Sequence, residues 1–413
     1  MRYLRPHITL LRPLFLACLI LSSFCTAAQD SLRKERLRKD IDAYREGIER
    51  LHASPFTRIS KETFEQQLDS IKQASPGMNA DEVLVAMMRV NALLADEHTR
   101  ILYTDSTAYP YVPYWFKEGV YIALADSAHS AAAHTKLLAI NGRPLDTIIS
   151  SLRELLPDKN IMSVRSEVPA LLQLPAILHG CGLTDAARSI DVLSLNDAGD
   201  TLHTMFSAIP SAQRKMDRLP AVKKMLRNSR EGSYWYHYDT ASGVFYFNYS
   251  RCFDEKDKPF EKFDWEMERE IRKNKPSRIV IDLRYNGGGN SGLLKPFISF
   301  LKGSRLDEKG KIFVLIGRRT FSAAVLNAVS LKRETHAILA GEASSGSVNH
   351  FGDIRFFDLP ACGARVCYST RYIKLNTRYD GPVLPDLKME EQFADYIKGV
   401  DALLDYVSIV KVE

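Results

Sequence analysis

The feature that most constrains the fold is the alternation of short apolar runs with helical patterns after Tyr234. The apolar runs predict buried strands, and the stretches between them carry hydrophobic residues at helical spacing. This alternation is typical of an α/β unit with a largely parallel sheet, whose active site is expected at the carboxyl ends of the strands. The predicted strands are Val244–Tyr249, Arg278–Leu283, Lys311–Gly317 and Ala337–Gly341, and the predicted helices are Phe263–Lys273, Leu293–Leu301 and Ser322–Leu331.

The first part of the chain has a helical pattern instead. Hydrophobic residues recur at helical spacing between Ser31 and Leu51, a second helical pattern covers Lys61–Gln73, and a third begins near Asp81. We therefore expect residues 29–108 to form a helical N-terminal unit.

The middle of the chain is rich in aromatic and β-branched residues separated by polar turns. Lys136–Ile140 is a predicted strand, Asn141 and Gly142 a predicted turn, and Asp146–Leu156 a predicted helix. This succession resembles a turn of PDZ domains in secreted proteases. Residues 109–215 are therefore interpreted as a PDZ-like β-rich region, and residues 216–413 as the α/β catalytic domain.

Composition excludes several classes of protein. The 413 residues, 45% hydrophobic and 26% charged, are typical of a soluble globular chain with two to four folding units. The formal charge is only +6, and acids alternate with bases, as in Lys256-Asp-Lys258, so a nucleic-acid surface is not indicated. The expected partner is a protein or peptide substrate, and the oligomeric state is left open.

Residues 1–28 have the layout of a secretory signal peptide. Arg2, Arg5 and Arg12 precede the apolar run Leu14–Leu21, and small residues follow through Ala28. The run is too short to span a bilayer, so we expect no membrane span and a periplasmic or extracellular protein after cleavage. A lipid anchor on Cys18 or Cys25 is the competing interpretation, but the Phe24 side chain just before Cys25 fits acylation poorly.

Four cysteines remain after the predicted leader: Cys181, Cys252, Cys362 and Cys367. A β-hairpin could join Cys362 to Cys367 in a disulfide, and the sequence leaves this pairing open. Two cysteines with four residues between them are a weak zinc signal, because no further ligands lie at comparable spacing. No metal site and no cofactor are expected.

Two predicted strand ends carry candidate chemistry. Gly287, Gly288 and Gly289 follow one strand, where adjacent glycines allow a backbone amide to approach a ligand. Ser322 lies at the turn between the next strand and its helix, where a nucleophilic serine is expected. Taken alone, Ser322 could be an ordinary helix N-cap, and the glycines a tight turn or a phosphate cradle. The glycines lack the spacing of nucleotide-binding loops.

Four motifs in order resemble the S41 serine peptidases, which include the tail-specific proteases. They are Asp282-Leu-Arg-Tyr-Asn-Gly-Gly-Gly289, Thr320-Phe-Ser-Ala-Ala324, Ala340-Gly-Glu-Ala-Ser-Ser-Gly346 and Gly381-Pro-Val-Leu-Pro-Asp386. The resemblance covers Tyr234 to the end of the chain, and the PDZ-like turn extends it upstream. It implies a crotonase/ClpP-like α/β catalytic domain with Ser322 as nucleophile. Asp282 and Arg284 are interpreted as a buried pair that positions the glycine turn.

One departure from this pattern concerns the general base. The tail-specific branch has a catalytic lysine where this chain has Ser347. The tricorn-like branch uses an upstream histidine in an Asp-x-His-Thr pattern, which is similar to Asp96-Glu-His-Thr99. The resemblance therefore implies that His98 is the base. Asp380 is the expected residue to orient His98, and Glu342, Ser344 and Ser347 are alternatives.

The remaining site residues follow from the same resemblance. The amides of Ala323 and Gly288 are expected to stabilise the oxyanion, and Gly287, Gly289, Ser347 and His350 are expected to bind substrate, although His350 could equally be structural. The expected function is hydrolysis of peptide bonds in unstructured protein tails by a secreted serine endopeptidase. The alternatives are a catalytically silent peptide- or ligand-binding protein and an acyl esterase. The sequence lacks the Gly-x-Ser-x-Gly elbow that is expected of α/β-hydrolase esterases.

Overall fold

The computed structural model describes residues 11–103, 107–157, 160–185, 188–230, 232–376 and 378–411, with side chains from residue 31 onward. Residues 1–10 of the predicted signal peptide lie outside the described residues, so its cleavage and the alternative lipid anchor stay predictions. No helix within the described ranges is long and apolar enough to cross a membrane.

The N-terminal unit consists of three helices and one strand. These are α1 (Leu11–Leu51), α2 (Lys61–Ala74), α3 (Ala80–Ala92) and β1 (Arg100–Tyr103). Leu37, Ile41, Tyr44 and Ile48 are all buried, as the helical spacing predicts. Helix α3 begins with a capping box, in which the Asn79 side chain accepts from the Glu82 amide and the Glu82 carboxylate accepts from the Asn79 amide. These caps fix the direction in which α3 leads the chain to residues 96–99.

The middle unit is an antiparallel sheet covered by helices. Its elements are β2 (Thr107–Ala108), β3 (Tyr111–Phe116), β4 (Gly119–Ala125), β5 (Thr135–Ile140), β6 (Arg143–Pro144), α4 (Leu145–Arg153), α5 (Ile161–Leu171), α6 (Pro175–Gly180), β7 (Ser189–Leu195), β8 (Thr201–Ser207) and β9 (Ile209–Pro210). The main sheet has the order β3-β4-β5-β7-β8, and β6 pairs with β5. Asn141 and Gly142 both have positive φ, at 50° and 72°, which is the turn that the sequence predicted between β5 and β6.

The α/β unit contains the second large sheet. Its elements are α7 (Pro220–Lys224), β10 (Tyr234–Asp239), β11 (Val244–Tyr249), α8 (Phe260–Asn274), β12 (Arg278–Asp282), α9 (Lys295–Leu301), β13 (Ile312–Ile316), α10 (Ala323–Glu334), β14 (Ile338–Gly341), β15 (His350–Leu359), β16 (Ala364–Ile373), β17 (Leu387–Lys388), α11 (Phe393–Lys398) and α12 (Ala402–Ile409). The sheet order is β10-β11-β12-β13-β14-β17, and every pair after β10–β11 is parallel. Helices α8, α9 and α10 contribute to the core on one face and α12 to the core on the other. The predicted α/β fold with a parallel sheet is confirmed.

The hairpin of β15 and β16 is not part of this sheet. It pairs with β1 in a three-stranded sheet of order β1-β16-β15. Leu359, Val366 and Tyr368 pack in the same core as the N-terminal helices. The sequence analysis placed this segment wholly inside the α/β unit. The difference arises because the hairpin's partner strand lies far upstream, which an analysis of neighbouring residues does not detect.

The four described cysteines are all free thiols. Cys362 lies in the turn between β15 and β16, whereas Cys367 pairs across the hairpin with Phe356. The two side chains are therefore not cross-strand neighbours, and the disulfide that the sequence left open does not form.

A buried charge network fixes the end of β12. The Arg284 guanidinium donates to both Asp282 oxygens, and its two terminal nitrogens donate to Asp401 at 2.7 and 2.8 Å. The Tyr246 hydroxyl also donates to Asp282, at 2.6 Å. The predicted Asp282–Arg284 pair is confirmed, and Asp401 is the partner that the sequence did not indicate. This network holds the first residues of the glycine turn.

Candidate active site

Ser322 occupies a strained position between β13 and α10. Its φ is 53° and its ψ is −125°, a conformation that residues other than glycine rarely adopt. The Ser322 side chain makes no capping hydrogen bond to α10, so it does not act as an N-cap. The half-buried hydroxyl is therefore presented at the carboxyl edge of the parallel sheet, which is where the sequence predicted the nucleophile.

Hydrogen bonds from the neighbouring strand end hold this turn. The Phe321 amide donates to the Asn286 carbonyl at 3.0 Å, and the Thr320 hydroxyl donates to the Leu283 carbonyl at 2.8 Å. Thr320 also accepts from the Gly317 amide at 2.9 Å. The turn that carries Ser322 is thus fixed to the glycine turn beside it.

The backbone of Gly288 packs directly against Ser322. Gly288 has a φ of 103°, and a methyl group added to it would lie 2.6 Å from Ser322 Cβ and 3.0 Å from the Ala323 nitrogen. The Gly288 amide donates to Asn286 Oδ1 at 2.9 Å, so it is not free for a ligand. The Ala323 amide, the first of α10, makes no hydrogen bond within the described part of the chain. Of the two predicted oxyanion donors, only Ala323 is available in this structure.

Gly289 and Gly287 differ in the space around their Cα atoms. A methyl group on Gly289 would lie 2.3 Å from the Cys252 carbonyl oxygen, because this segment pairs with Cys252 through two backbone hydrogen bonds. A methyl group on Gly287 would meet no atom within 4 Å. The structure therefore gives Gly289 a packing role and leaves open space beside Gly287, where a ligand can approach.

The His98 ring lies between two other rings, one of which belongs to Phe321, the residue before Ser322. It stacks on Phe321 with centroids 4.4 Å apart and on His350 with centroids 5.0 Å apart, and its side chain is buried. Neither ring nitrogen of His98 has a hydrogen-bond partner among the described residues, so no hydrogen bond joins His98 to Ser322 here. Burial and the nearby His350 lower the pKa of His98 to about 3. The ring is a neutral base with both nitrogens uncommitted.

Asp96 holds the backbone that carries His98. Its carboxylate accepts from the His98 amide at 2.9 Å and from the side chains of His52, Thr99 and Ser369 at 2.5 to 2.9 Å. Burial raises the pKa of Asp96, but the hydrogen bonds, led by that from His52, outweigh burial and lower it to about 2. The Asp-x-His-Thr pattern therefore encodes a local anchor that joins three elements.

None of the predicted orienting groups contacts His98. Asp380 is exposed and makes no hydrogen bond to His98, because it lies in the surface segment that follows β16. Glu342 is paired with Arg318, whose Nε donates to it at 2.8 Å. The Ser344 hydroxyl donates to the Gly346 carbonyl at 2.6 Å and accepts from the Val383 amide. The structure therefore does not bring Asp380 or its alternatives to the imidazole.

Glu97 has a role that the sequence analysis did not assign. Its carboxylate accepts from the Ser347 amide at 3.0 and 3.1 Å. This contact ties the segment before β15 to the residue beside His98. Its only sequence signal was its position inside the Asp96–Thr99 motif.

His350 lies on the other side of the His98 ring, and Ser347 contacts His350 rather than the His98 imidazole. The Nδ1 of His350 lies 2.7 Å from the Ser347 carbonyl, to which it donates, so Nε2 is the unprotonated nitrogen of the neutral ring. Burial lowers the pKa of His350. Both residues line a cleft of about 1640 Å³ between the N-terminal helices, α4 and the start of β15. This cleft leads from solvent to the face of His350.

Metal binding has no support within the described ranges. No group of three or more histidine, cysteine, aspartate or glutamate side chains there could hold a metal ion.

Comparisons with known proteins show the fold. No family model and no curated protein matches the sequence. Mature CPAF complexed with lactacystin is a solved structure that matches with a TM-score of 0.64 and 14% identity, over 91% of this chain and 98% of that chain. Mature CPAF alone matches with a TM-score of 0.63 and the same identity, over 91% and 97% of the two chains. The chain therefore has the α/β fold of CPAF.

The contact between Gly288 and Ser322 generates a paired mutational prediction. In Gly288→Ala, the added methyl group would push Ser322 and the Ala323 amide away and would strain a positive φ. We expect the reactivity of Ser322 towards a fluorophosphonate to fall by about 100-fold or more. The reason is that the loss of one hydrogen-bond donor to the oxyanion, here the Ala323 amide, lowers the rate by this factor. Gly77→Ala is the control for the glycine-to-alanine change, because its methyl group also enters open space and Gly77 lies in the N-terminal unit. Equal reactivity of the two variants would contradict this geometry.

The buried neutral His98 predicts how stability depends on pH. The unfolded chain binds a proton near pH 6.5, whereas folded His98 does so only near pH 3, so stability is lost as the pH falls below 6.5. Between pH 7 and pH 5 this loss is about 2 kcal/mol. Urea unfolding should show that His98→Gln loses less stability than the wild type over this range, by about that amount. An identical loss in both proteins would show that His98 is not buried as a neutral ring.

Proposed function

We propose that this protein is a serine peptidase that cleaves unstructured polypeptide through an acyl-enzyme on Ser322, with His98 as general base. The observation that carries the proposal is the strained turn at Ser322. A serine held at φ 53° costs about 1 to 3 kcal/mol, and its hydroxyl caps no helix. Such strain persists only where the surrounding structure enforces it, and it is concentrated at functional sites. The fold of CPAF is consistent with this activity.

The residues around Ser322 supply the groups that acyl transfer needs. The Ser322 oxygen attacks the carbonyl carbon of the peptide bond, and His98 removes the hydroxyl proton. The Ala323 amide, at the positive end of α10, donates to the negative oxygen that forms. His98 then returns the proton to the leaving amine, and a water molecule, deprotonated by the same ring, releases the acyl group.

The His98 ring must move slightly to do this. Its nitrogens have no partners among the described residues and the ring is held by stacking on Phe321 and His350, so a small change in its side-chain torsions breaks no hydrogen bond. Catalytic hydrogen bonds are often absent before substrate binds. Asp96 fixes the backbone of His98, and the two stacked rings take the place of a carboxylate that would orient the imidazole.

The family branch and the cellular location complete the proposal. A serine at position 347 and a histidine at position 98 favour the tricorn-like branch of the S41 peptidases over the branch with a catalytic lysine. The leader-like residues 1–28 favour secretion to the periplasm or the cell exterior. N-terminal sequencing of the exported protein tests the cleavage at Ala28.

Hydrolysis of casein tests the proposed activity. Ser322→Ala and His98→Gln should each lower the rate by about 1000-fold or more, because the nucleophile and its base act as a unit. Ser330→Ala, which changes a serine in the same helix α10, is the matched control and should keep full activity.

The outcomes separate the alternatives. Cleavage of a simple ester but not of casein would identify an acyl esterase instead. Binding of unfolded casein without any cleavage by the wild type would support the catalytically silent protein. Full activity of Ser322→Ala would exclude Ser322 as nucleophile.

A further inference from the structure

Strand β3 is one of the two edge strands of the middle sheet, and its outer edge lies next to residues of the nucleophile turn, where an added ligand strand would be close to the candidate active site. Strand addition requires a row of free backbone donors and acceptors along an exposed edge. Strand β3 pairs with β4 on one side only, so the backbone groups of Tyr111, Pro113, Trp115 and Lys117 alternate along its other side.

The chain's own groups occupy most of this edge. The Tyr111 carbonyl accepts from Arg214 at 2.8 Å, and the Trp115 carbonyl accepts from Arg318. The Lys117 amide donates to the Glu391 carbonyl at 2.9 Å, and Pro113 has no amide hydrogen. Within the strand, at most the Pro113 carbonyl and the Trp115 amide are left for a partner. Two isolated groups do not make a ladder.

Side chains also fill the space beside the edge. Helix α5 packs against β3, and its Arg165 lies over the Trp115 ring at 5.9 Å and donates to Glu390 at 2.8 Å. The Tyr114 hydroxyl donates to Glu391 at 2.7 Å. Residues 390 and 391 thus take the position at the end of the strand that an incoming peptide would need.

Opening this edge would disturb the active site. Arg318 is almost fully buried and pairs with Glu342. It lies in the loop between β13 and α10, a few residues before Ser322. A peptide that displaced Arg318 from the Trp115 carbonyl would leave a buried guanidinium incompletely bonded. The edge is therefore part of the scaffold of the nucleophile turn.

The large cleft offers the alternative route. Its volume of about 1640 Å³ exceeds that of sites for small molecules, which are about 300 to 1000 Å³. Its walls carry the exposed Leu93 and Tyr372 together with Phe351, which suit the side chains of an extended polypeptide. It reaches Ser347 and His350, and the His350 ring lies against His98.

We propose that this protein binds internal segments of unstructured polypeptide in this cleft and does not recognise substrates by adding their C-terminal tails to β3. The proposal rests on the proposed peptidase function and departs from the sequence-based expectation that tails are the substrate. Recognition then needs no free carboxylate. The residues that determine specificity lie on the cleft walls, and the exposed Leu93 is one of them.

A binding experiment on the full-length Ser322→Ala protein tests this without catalysis. The probe is a fluorescein-labelled peptide with alternating apolar and polar residues and an apolar last residue, made once as the free acid and once as the amide. We expect anisotropy titrations to give the two peptides equal affinities within about twofold. Leu93→Arg should weaken both by about tenfold, whereas Leu51→Arg, which changes an equally exposed leucine outside the cleft, should not.

Each other outcome overturns the proposal. A free acid that binds tenfold tighter than the amide would show recognition of the tail, and equal effects of Leu93→Arg and Leu51→Arg would exclude the cleft. Binding of neither peptide would also overturn it. If the peptides bind as expected but the wild type cleaves none of them, the proposed peptidase function fails while the binding site stands.

Discussion

The close fit of Gly288 against Ser322 is the constraint on which the rest of the site depends. No side chain larger than a hydrogen fits at position 288, because its Cβ would lie 2.6 Å from that of Ser322. The same approach keeps Ser322 at a positive φ, at a cost of about 1 to 3 kcal/mol. The hydrogen bonds that Phe321 and Thr320 donate, and the one that the Asn286 side chain accepts from the Gly288 amide, are worth about 0.5 to 1.5 kcal/mol each and offset this strain. The turns that follow β12 and β13 are therefore held rigidly together.

A second set of contacts holds the loop of Asp96 and Glu97 to segments that are distant in the sequence. Asp96 joins the end of α1, through His52, to strand β16, through Ser369. Glu97 joins the same loop to Ser347. Because these contacts are buried and charged, the imidazole of His98 arrives beside Phe321 with its backbone fixed and its ring free of hydrogen bonds. This combination leaves a nitrogen of the fixed imidazole free to accept a proton.

The sequence predicted the local part of this arrangement well and the long-range part poorly. Apolar runs such as Ile312–Ile316 and the helical spacing of α10 depend on neighbouring residues, and the strand-to-helix turn at Ser322 followed from them. The contact of the β15–β16 hairpin with β1, and that of Asp401 with Arg284, join residues far apart in the chain and leave no periodic signal. The expected role of Asp380 depended on a spacing in related enzymes, and here that residue lies exposed. The occupation of the β3 edge could not be predicted from the sequence either, since the arginines that occupy it come from segments distant in the chain.

The identity of the nucleophile is the claim on which the functional account depends. Peptide mapping by mass spectrometry after reaction of the wild-type protein with a fluorophosphonate tests it directly. A single phosphonyl adduct on Ser322 is predicted, because Ser322 is the one serine with a positive φ among the described residues, and a free amide and a neutral imidazole stacked on Phe321 accompany it. An adduct on any other serine, or no adduct in the correctly folded protein, would contradict it.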